Sequence, residues 1–99
     1  SPAGTPVRLD RLARIAAEHA RAMFVVDVSF QSLSESADEE RTEVPDNVVL
    51  VRSLTKELGL PGLRVGLLAT TPGFARELED ARAAWSTSAP AQAAAEAAA

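Results

Sequence analysis

The sequence contains no cysteine and a single histidine. The first absence removes disulfides and thiolate chemistry, and the second excludes a histidine-rich metal site. No apolar run is long enough to cross a bilayer, and the first residues lack the charged start and apolar block of a secretory signal. Basic residues number 10 against 14 acidic ones, a net charge of -4, and form no basic stripe. Nucleic acid and anionic membranes both need clustered positive charge, so neither is expected as a partner. With cysteine missing, a reducing cytoplasm is the expected compartment.

What remains is a chain of 99 residues, 46% hydrophobic and 24% charged, whose mean hydropathy is close to zero. That is one domain at most, with a real but thin core. Ser1-Pro2-Ala3-Gly4 reads as a turn, and Thr5-Pro6 as a helix start, with threonine at the cap and proline at the first helical position. Leu9, Leu12, Ala13, Ala16, Ala20 and Met23 then recur at three- and four-residue steps, which predicts an apolar helical stripe laid on a sheet. His19, at the edge of that stripe, is expected on the surface.

Phe24 to Val28 predicts a short parallel strand covered on both faces, since a continuous apolar run between helices needs cover on each side. Its odd member is Asp27. A carboxylate there is either the cap of the next turn or part of a ligand site, because open α/β sheets bind ligands beyond the carboxyl ends of their strands. Residues Gln31 to Asn47 lose periodicity and predict a loop with a solvated charge run, Asp38-Glu39-Glu40. Val48 to Val51 predicts a second buried strand, Ser53 to Gly59 a turn and short helix ended by Pro61-Gly62, and Leu63 to Ala69 a third strand. The connection is too short for a parallel crossover, so the third strand is expected antiparallel to the second. Gly66 permits close backbone approach. Thr71-Pro72 repeats the helix start, and Phe74, Leu78, Ala81 and Trp85 predict a packed face. The alanine-rich tail from Ala89 has high helix propensity and little to bury, and in isolation is expected to fray.

Chemistry concentrates in Arg52-Ser53-Leu54-Thr55-Lys56-Glu57-Leu58-Gly59-Leu60-Pro61-Gly62-Leu63-Arg64. A lysine amine attacks an aldehyde only when neutral, so it needs burial or nearby positive charge, and Arg64 can supply the latter. A guanidinium and a serine hydroxyl are donors suited to a phosphate. Taken singly, Lys56 is an ordinary loop lysine and Arg64 a strand-edge charge.

Ser53, Lys56 and Arg64, in the order S-x-x-K and K-x7-R, resemble the active-site segment of fold-type I pyridoxal-phosphate enzymes, the class I/II aminotransferases. The resemblance implies that Lys56 forms the internal aldimine with pyridoxal 5'-phosphate while Ser53 and Arg64 hold its phosphate. Asp27 and Phe30 fit the family's D-x-x-F spacing, which implies an Asp27 pairing with the protonated pyridine nitrogen. Phe30 stands where most relatives carry tyrosine, and Ser1 where N-P-x-G has its asparagine. Both of those family residues donate to the cofactor's phenolic oxygen. Trp85, Ala91 and Gln92 match W-x-x-N-x-x-A-Q, with Ser88 in the asparagine's place.

The wording S-L-T-K and L-P-G-L-R-V-G is most similar to the branch containing histidinol-phosphate aminotransferase and threonine-phosphate decarboxylase, hence to amino-acid metabolism or cobalamin biosynthesis. The implied fold is a three-layer α/β/α arrangement whose mostly parallel sheet has one antiparallel strand. Residues 1–99 would form part of the large domain, with the earlier part of that domain and the small domain outside the sequence. The implied activity is transamination of an amino acid or amino-acid phosphate, a small-molecule substrate, in a longer homodimeric enzyme. Other readings are a decarboxylase or lyase of the same fold, a non-catalytic aminotransferase-like regulatory domain, and a ligand-free α/β domain.

Overall fold

A computed structural model of the chain describes residues 8–31 and 43–98. Ser1, the Thr5-Pro6 helix start and residues 32–42 of the expected loop lie outside the described residues. Helix α1 spans Leu9–Glu18 and buries Leu9, Ala13 and Ala16, the middle of the expected stripe. The stripe stops short of Ala20 and Met23, which are exposed. The helix ends early because Asn47 intercepts it: its Nδ2 donates to the carbonyls of Ala16, His19 and Ala22 at 3.0, 3.2 and 2.8 Å. An amide nitrogen has two hydrogens, so one of these three contacts is shared. Ala16 in the last turn, the cap residue His19 and Ala22 beyond it thus share a donor from a distant segment, at a helix end that leaves carbonyls unpaired. His19 is exposed, with Nδ1 2.9 Å from the Ile15 carbonyl.

Strand β1, Phe24–Asp27, pairs in parallel with β2, Val48–Ser53, in the register Phe24 with Val48 through Asp27 with Val51. Strand β3, Gly66–Ala69, runs antiparallel to β2, as its short connection requires, and the sheet order is β1-β2-β3. The expectation of a strand covered on both faces fails for β1. Val25 is 69% exposed and Asp27 is exposed, so only the face of Phe24 and Val26 is partly covered. Val48 and Val49 of the central strand are buried instead, because β2 is flanked by a strand on each side.

Gly66 lies opposite Ser53 so closely that a Cβ there would stand 2.8 Å from the Arg52 carbonyl oxygen. Helix α2, Leu54–Glu57, leaves β2 directly. Its end is set by Gly59 rather than by Pro61-Gly62. Gly59 takes φ +64°, which turns the Leu60 amide back to the Thr55 carbonyl at 3.1 Å, the reversal that a left-handed glycine provides. Pro61–Leu63 form a 3-10 turn, so the third strand begins later than Leu63.

Helix α3, Pro72–Ala81, starts as expected, with the Thr71 hydroxyl accepting from the Phe74 amide. Its packed face is weaker than the pattern suggests: Phe74 and Leu78 are half-buried and Ala81 is exposed. Trp85 is not packing at all, being 97% exposed with φ +63°. The tail forms helix α4, Ala89–Ala98, and corrects the expectation that it has little to bury. Ser88 Oγ accepts from the Ala91 amide at 3.4 Å, and Ala91, only 1% exposed, packs with Leu54 and Val65. Ala95, one turn on, joins the same cluster. Alanine's small side chain lets the helix approach α2 closely enough to dock without large residues.

Candidate functional site

The parallel register sets the carboxyl ends of β1 and β2 side by side, Asp27 against Val51, and the ladder continues as the Val28 amide donates to the Val51 carbonyl at 2.8 Å. Beyond that point both strands leave the sheet. One turns through Ser29 and Phe30, with the Gln31 amide closing on the Val28 carbonyl at 3.0 Å. The other enters α2 through Ser53, Leu54, Thr55 and Lys56. Leu54 is buried against Val65 and Ala91, which anchors the turn from below and leaves Lys56 exposed.

The result is a compact polar cluster. Lys56 Nζ lies over the Phe30 ring, 3.9 Å from its centroid, where the negative face of the ring attracts an ammonium group. The Asp27 carboxylate accepts through Oδ1 from the Ser29 amide at 2.9 Å. The Ser29 side chain first and its amide second, with a smaller contribution from the Lys56 charge and against partial desolvation, hold the Asp27 carboxyl below the usual aspartate range. Ser29 itself is 4% exposed, and its Oγ accepts from the Ser53 amide at 3.0 Å. Ser53 Oγ and the buried Thr55 Oγ1 are 2.9 Å apart.

Of the residues singled out from sequence, Asp27, Phe30, Ser53 and Lys56 therefore meet at one end of the sheet. Arg64 follows the 3-10 turn in a left-handed conformation, φ 51° and ψ 51°, and is exposed. It stands two residues before Gly66, the partner of Ser53, so its backbone leaves the sheet at the same end. Among the described residues it makes no hydrogen bond or ion pair. Ser1 lies outside the described residues. Ser29 and Thr55 were not singled out as site residues. A serine two positions after an aspartate is a common turn pattern, and the only distinguishing signal in the sequence was its place between Asp27 and Phe30.

The donor set fits pyridoxal phosphate. An ionised carboxylate matches a protonated ring nitrogen, a primary amine stands on the adjacent turn, and hydroxyl and guanidinium donors suited to phosphate leave the same end of the sheet. Among the described residues no group of acidic or histidine side chains could hold a metal ion, and no helix is long and apolar enough to cross a membrane.

Comparison with known proteins gives the same reading. The family described as aminotransferase class I and II matches residues 1–99. Histidinol-phosphate aminotransferase 2 of Burkholderia pseudomallei is 32% identical over 97% of this chain and 27% of its own length. Histidinol-phosphate aminotransferase of Methanopyrus kandleri is 33% identical over 98% of the chain and 25% of its own. The adenosylcobalamin biosynthesis bifunctional protein CobDQ of Leptospira interrogans is 34% identical over 69% of the chain and 8% of that protein. The chain thus spans about a quarter of the length of the histidinol-phosphate aminotransferases it matches. No solved structure gives a significant match. On the match along all of its residues, this chain belongs to the class I and II aminotransferases, a family dependent on pyridoxal phosphate.

Proposed function

We propose that the chain supplies the lysine-bearing part of a pyridoxal-phosphate-dependent aminotransferase, with Lys56 the residue to which the cofactor attaches. The observation that carries this reading is the meeting of the Lys56 ammonium, the Phe30 ring and the Asp27 carboxylate, brought together from two separate strands. Asp27 accepts a hydrogen bond from the protonated pyridine nitrogen, and its depressed pKa keeps it ionised for that task. Ser53 and Arg64 hold the phosphate, the guanidinium through paired donors. By the resemblance, Ser1 would offer a hydroxyl where the family's asparagine amide donates to the phenolic oxygen. Phe30 offers that oxygen no donor and serves as an apolar wall.

When bound, the cofactor supplies the electron sink that breaking a bond at the substrate's α-carbon needs. Lys56 Nζ does the protein's share. Once neutral it takes the α-proton as general base and returns it as general acid, which requires it to leave the face of Phe30. The substrate class is an amino acid or amino-acid phosphate, as the resemblance implies; the histidinol-phosphate relatives are named for a phosphorylated amino alcohol. The surrounding architecture is the three-layer α/β/α large domain of a cytoplasmic homodimer. A second outcome on the same residues, loss of carbon dioxide rather than exchange of nitrogen, rests on the likeness of S-L-T-K and L-P-G-L-R-V-G to the branch that contains threonine-phosphate decarboxylase.

Borohydride reduction of the full-length protein loaded with pyridoxal phosphate, followed by peptide mapping, tests the attachment. The label is expected on Lys56 and absent from Lys56→Ala; a label on another lysine sinks the reading. Turnover of amino-acid phosphates, followed as oxo product or as carbon dioxide, separates the two outcomes.

A further inference from the structure

We infer that Ser29 is a positioning residue: its amide holds the Asp27 carboxylate and its hydroxyl holds the Ser53 amide, so that the acid partner and the lysine-bearing turn are set as a single unit. Its role in the reaction rests on the function proposed above. The geometry is specific. Ser29 follows β1 by two residues and is 4% exposed, in a cluster whose other members, Asp27, Phe30 and Lys56, face solvent. A hydroxyl has one hydrogen and two lone pairs. A lone pair accepts the Ser53 amide at 3.0 Å, and the Ser29 amide donates to Asp27 Oδ1 at 2.9 Å, while the Ser29 side chain is the largest influence holding the Asp27 carboxyl down.

The Ser53 amide is the natural place for such a bond. Ser53 is the last residue of β2 and the cap of α2, where the strand ladder ends and the helix has not begun. Without Ser29 that amide loses its partner, and the turn carrying Lys56 loses its link to β1 beyond the last ladder bond. Asp27 at the same time loses the side-chain influence that most favours its charged form, leaving the Ser29 amide and the Lys56 charge. Those are the two requirements of the proposed chemistry: an ionised carboxylate under the ring nitrogen, and an amine at a fixed distance from it.

The test is Ser29→Ala in the full-length protein, first without cofactor. The Asp27 carboxyl, followed by NMR titration, is expected to titrate at higher pH than in the wild type, and the Ser53 amide to exchange about five- to tenfold faster, the consequence of losing one net hydrogen bond. With pyridoxal phosphate, affinity is expected to fall about tenfold. Ser29→Thr, which keeps the hydroxyl, is expected to restore the Asp27 titration and the Ser53 protection; if Ser29→Ala does not fold, Ser29→Cys, a weak donor, gives the same readings. An Asp27 titration and a Ser53 exchange rate both unchanged in the hydroxyl-free variant overturn the inference, even if Lys56 is labelled by borohydride. Conversely, a shifted Asp27 with no label on wild-type Lys56 removes the cofactor reading while the link between Asp27, Ser29 and Ser53 stands.

Discussion

The carboxyl ends of β1 and β2 and the segment from α3 to Trp85 are both rich in polar groups, yet they are built differently. In the first, Ser29 reaches Ser53 and Lys56 reaches Phe30, so that each contact closes a long loop between segments. In the second, contacts stay local: Arg82 grips Glu79 with two nitrogens and reaches Ser86, each within four residues of it, while Trp85 beside them is 97% exposed. Exposed pairs of the second kind contribute little to stability, about 0.2–1 kcal/mol. The difference teaches that polar residues act as structure only where strand pairing has already brought their backbones together.

Four perturbations break or sharpen that contrast. The largest effect is expected at Gly66, where adding a methyl group by Gly66→Ala drives a Cβ to 2.8 Å from the Arg52 carbonyl. Backbone has to yield, and the urea midpoint should fall by the equivalent of about 2–3 kcal/mol, a cost in the upper range for overpacking. Next is Asn47→Ala, which strips one donor group from three α1-side carbonyls. A loss of about 1–2 kcal/mol is expected in the same experiment, carried mainly by the part-buried contact to Ala16, since the other two carbonyls are exposed to water.

Acid comes third. Asp27, Asp10 and Glu79 all have depressed carboxyl pKa values, caused first by the Ser29 hydroxyl, the Arg8 side chain and the Arg82 side chain respectively. A depressed carboxyl contributes stability that is present above its unfolded value, about pH 4, and is lost as pH falls through the folded value. Stability followed from neutral pH downward should therefore decline only below about pH 4. Added salt should blunt the share of Asp10 and Glu79, whose partners are exposed ions. Asp27 should hold its share, since neutral donors supply most of its shift. The smallest effect is at Trp85. Trp85→Ala is expected to change stability by less than about 0.5 kcal/mol, the range for surface substitutions. A larger loss would show that the tryptophan is covered in solution.

Much of the sheet was legible in the sequence. The apolar runs at 24–28 and 48–51, the antiparallel return through Gly66 and the Thr71-Pro72 start all follow from local residue chemistry. The misreadings have a common cause. Periodicity in Leu9 to Met23 says which residues share a face, and cannot say that Asn47 will stop the helix at Glu18. Apolar character in β1 was read as cover on both faces, whereas cover depends on what lies against Val25. Alanines 91 and 95 look inert in sequence and become core only because Leu54 and Val65 meet them. At the site, Lys56, Asp27, Ser53 and Arg64 were identifiable by residue type and spacing. Ser29 and Thr55 were not, since a hydroxyl gains its role from whichever groups stand beside it.

By itself, then, the sequence determined the residue types that can do the chemistry, the turns that present them and the direction of each strand. These are properties of a few neighbouring residues and survive in any context. Only the tertiary structure decided that the Asp27 turn and the Lys56 turn would be joined through a buried hydroxyl, while Arg64 leaves the sheet untethered among the described residues. The physical reason is register. One parallel pairing, Asp27 beside Val51, fixes which groups fall within hydrogen-bonding reach of one another.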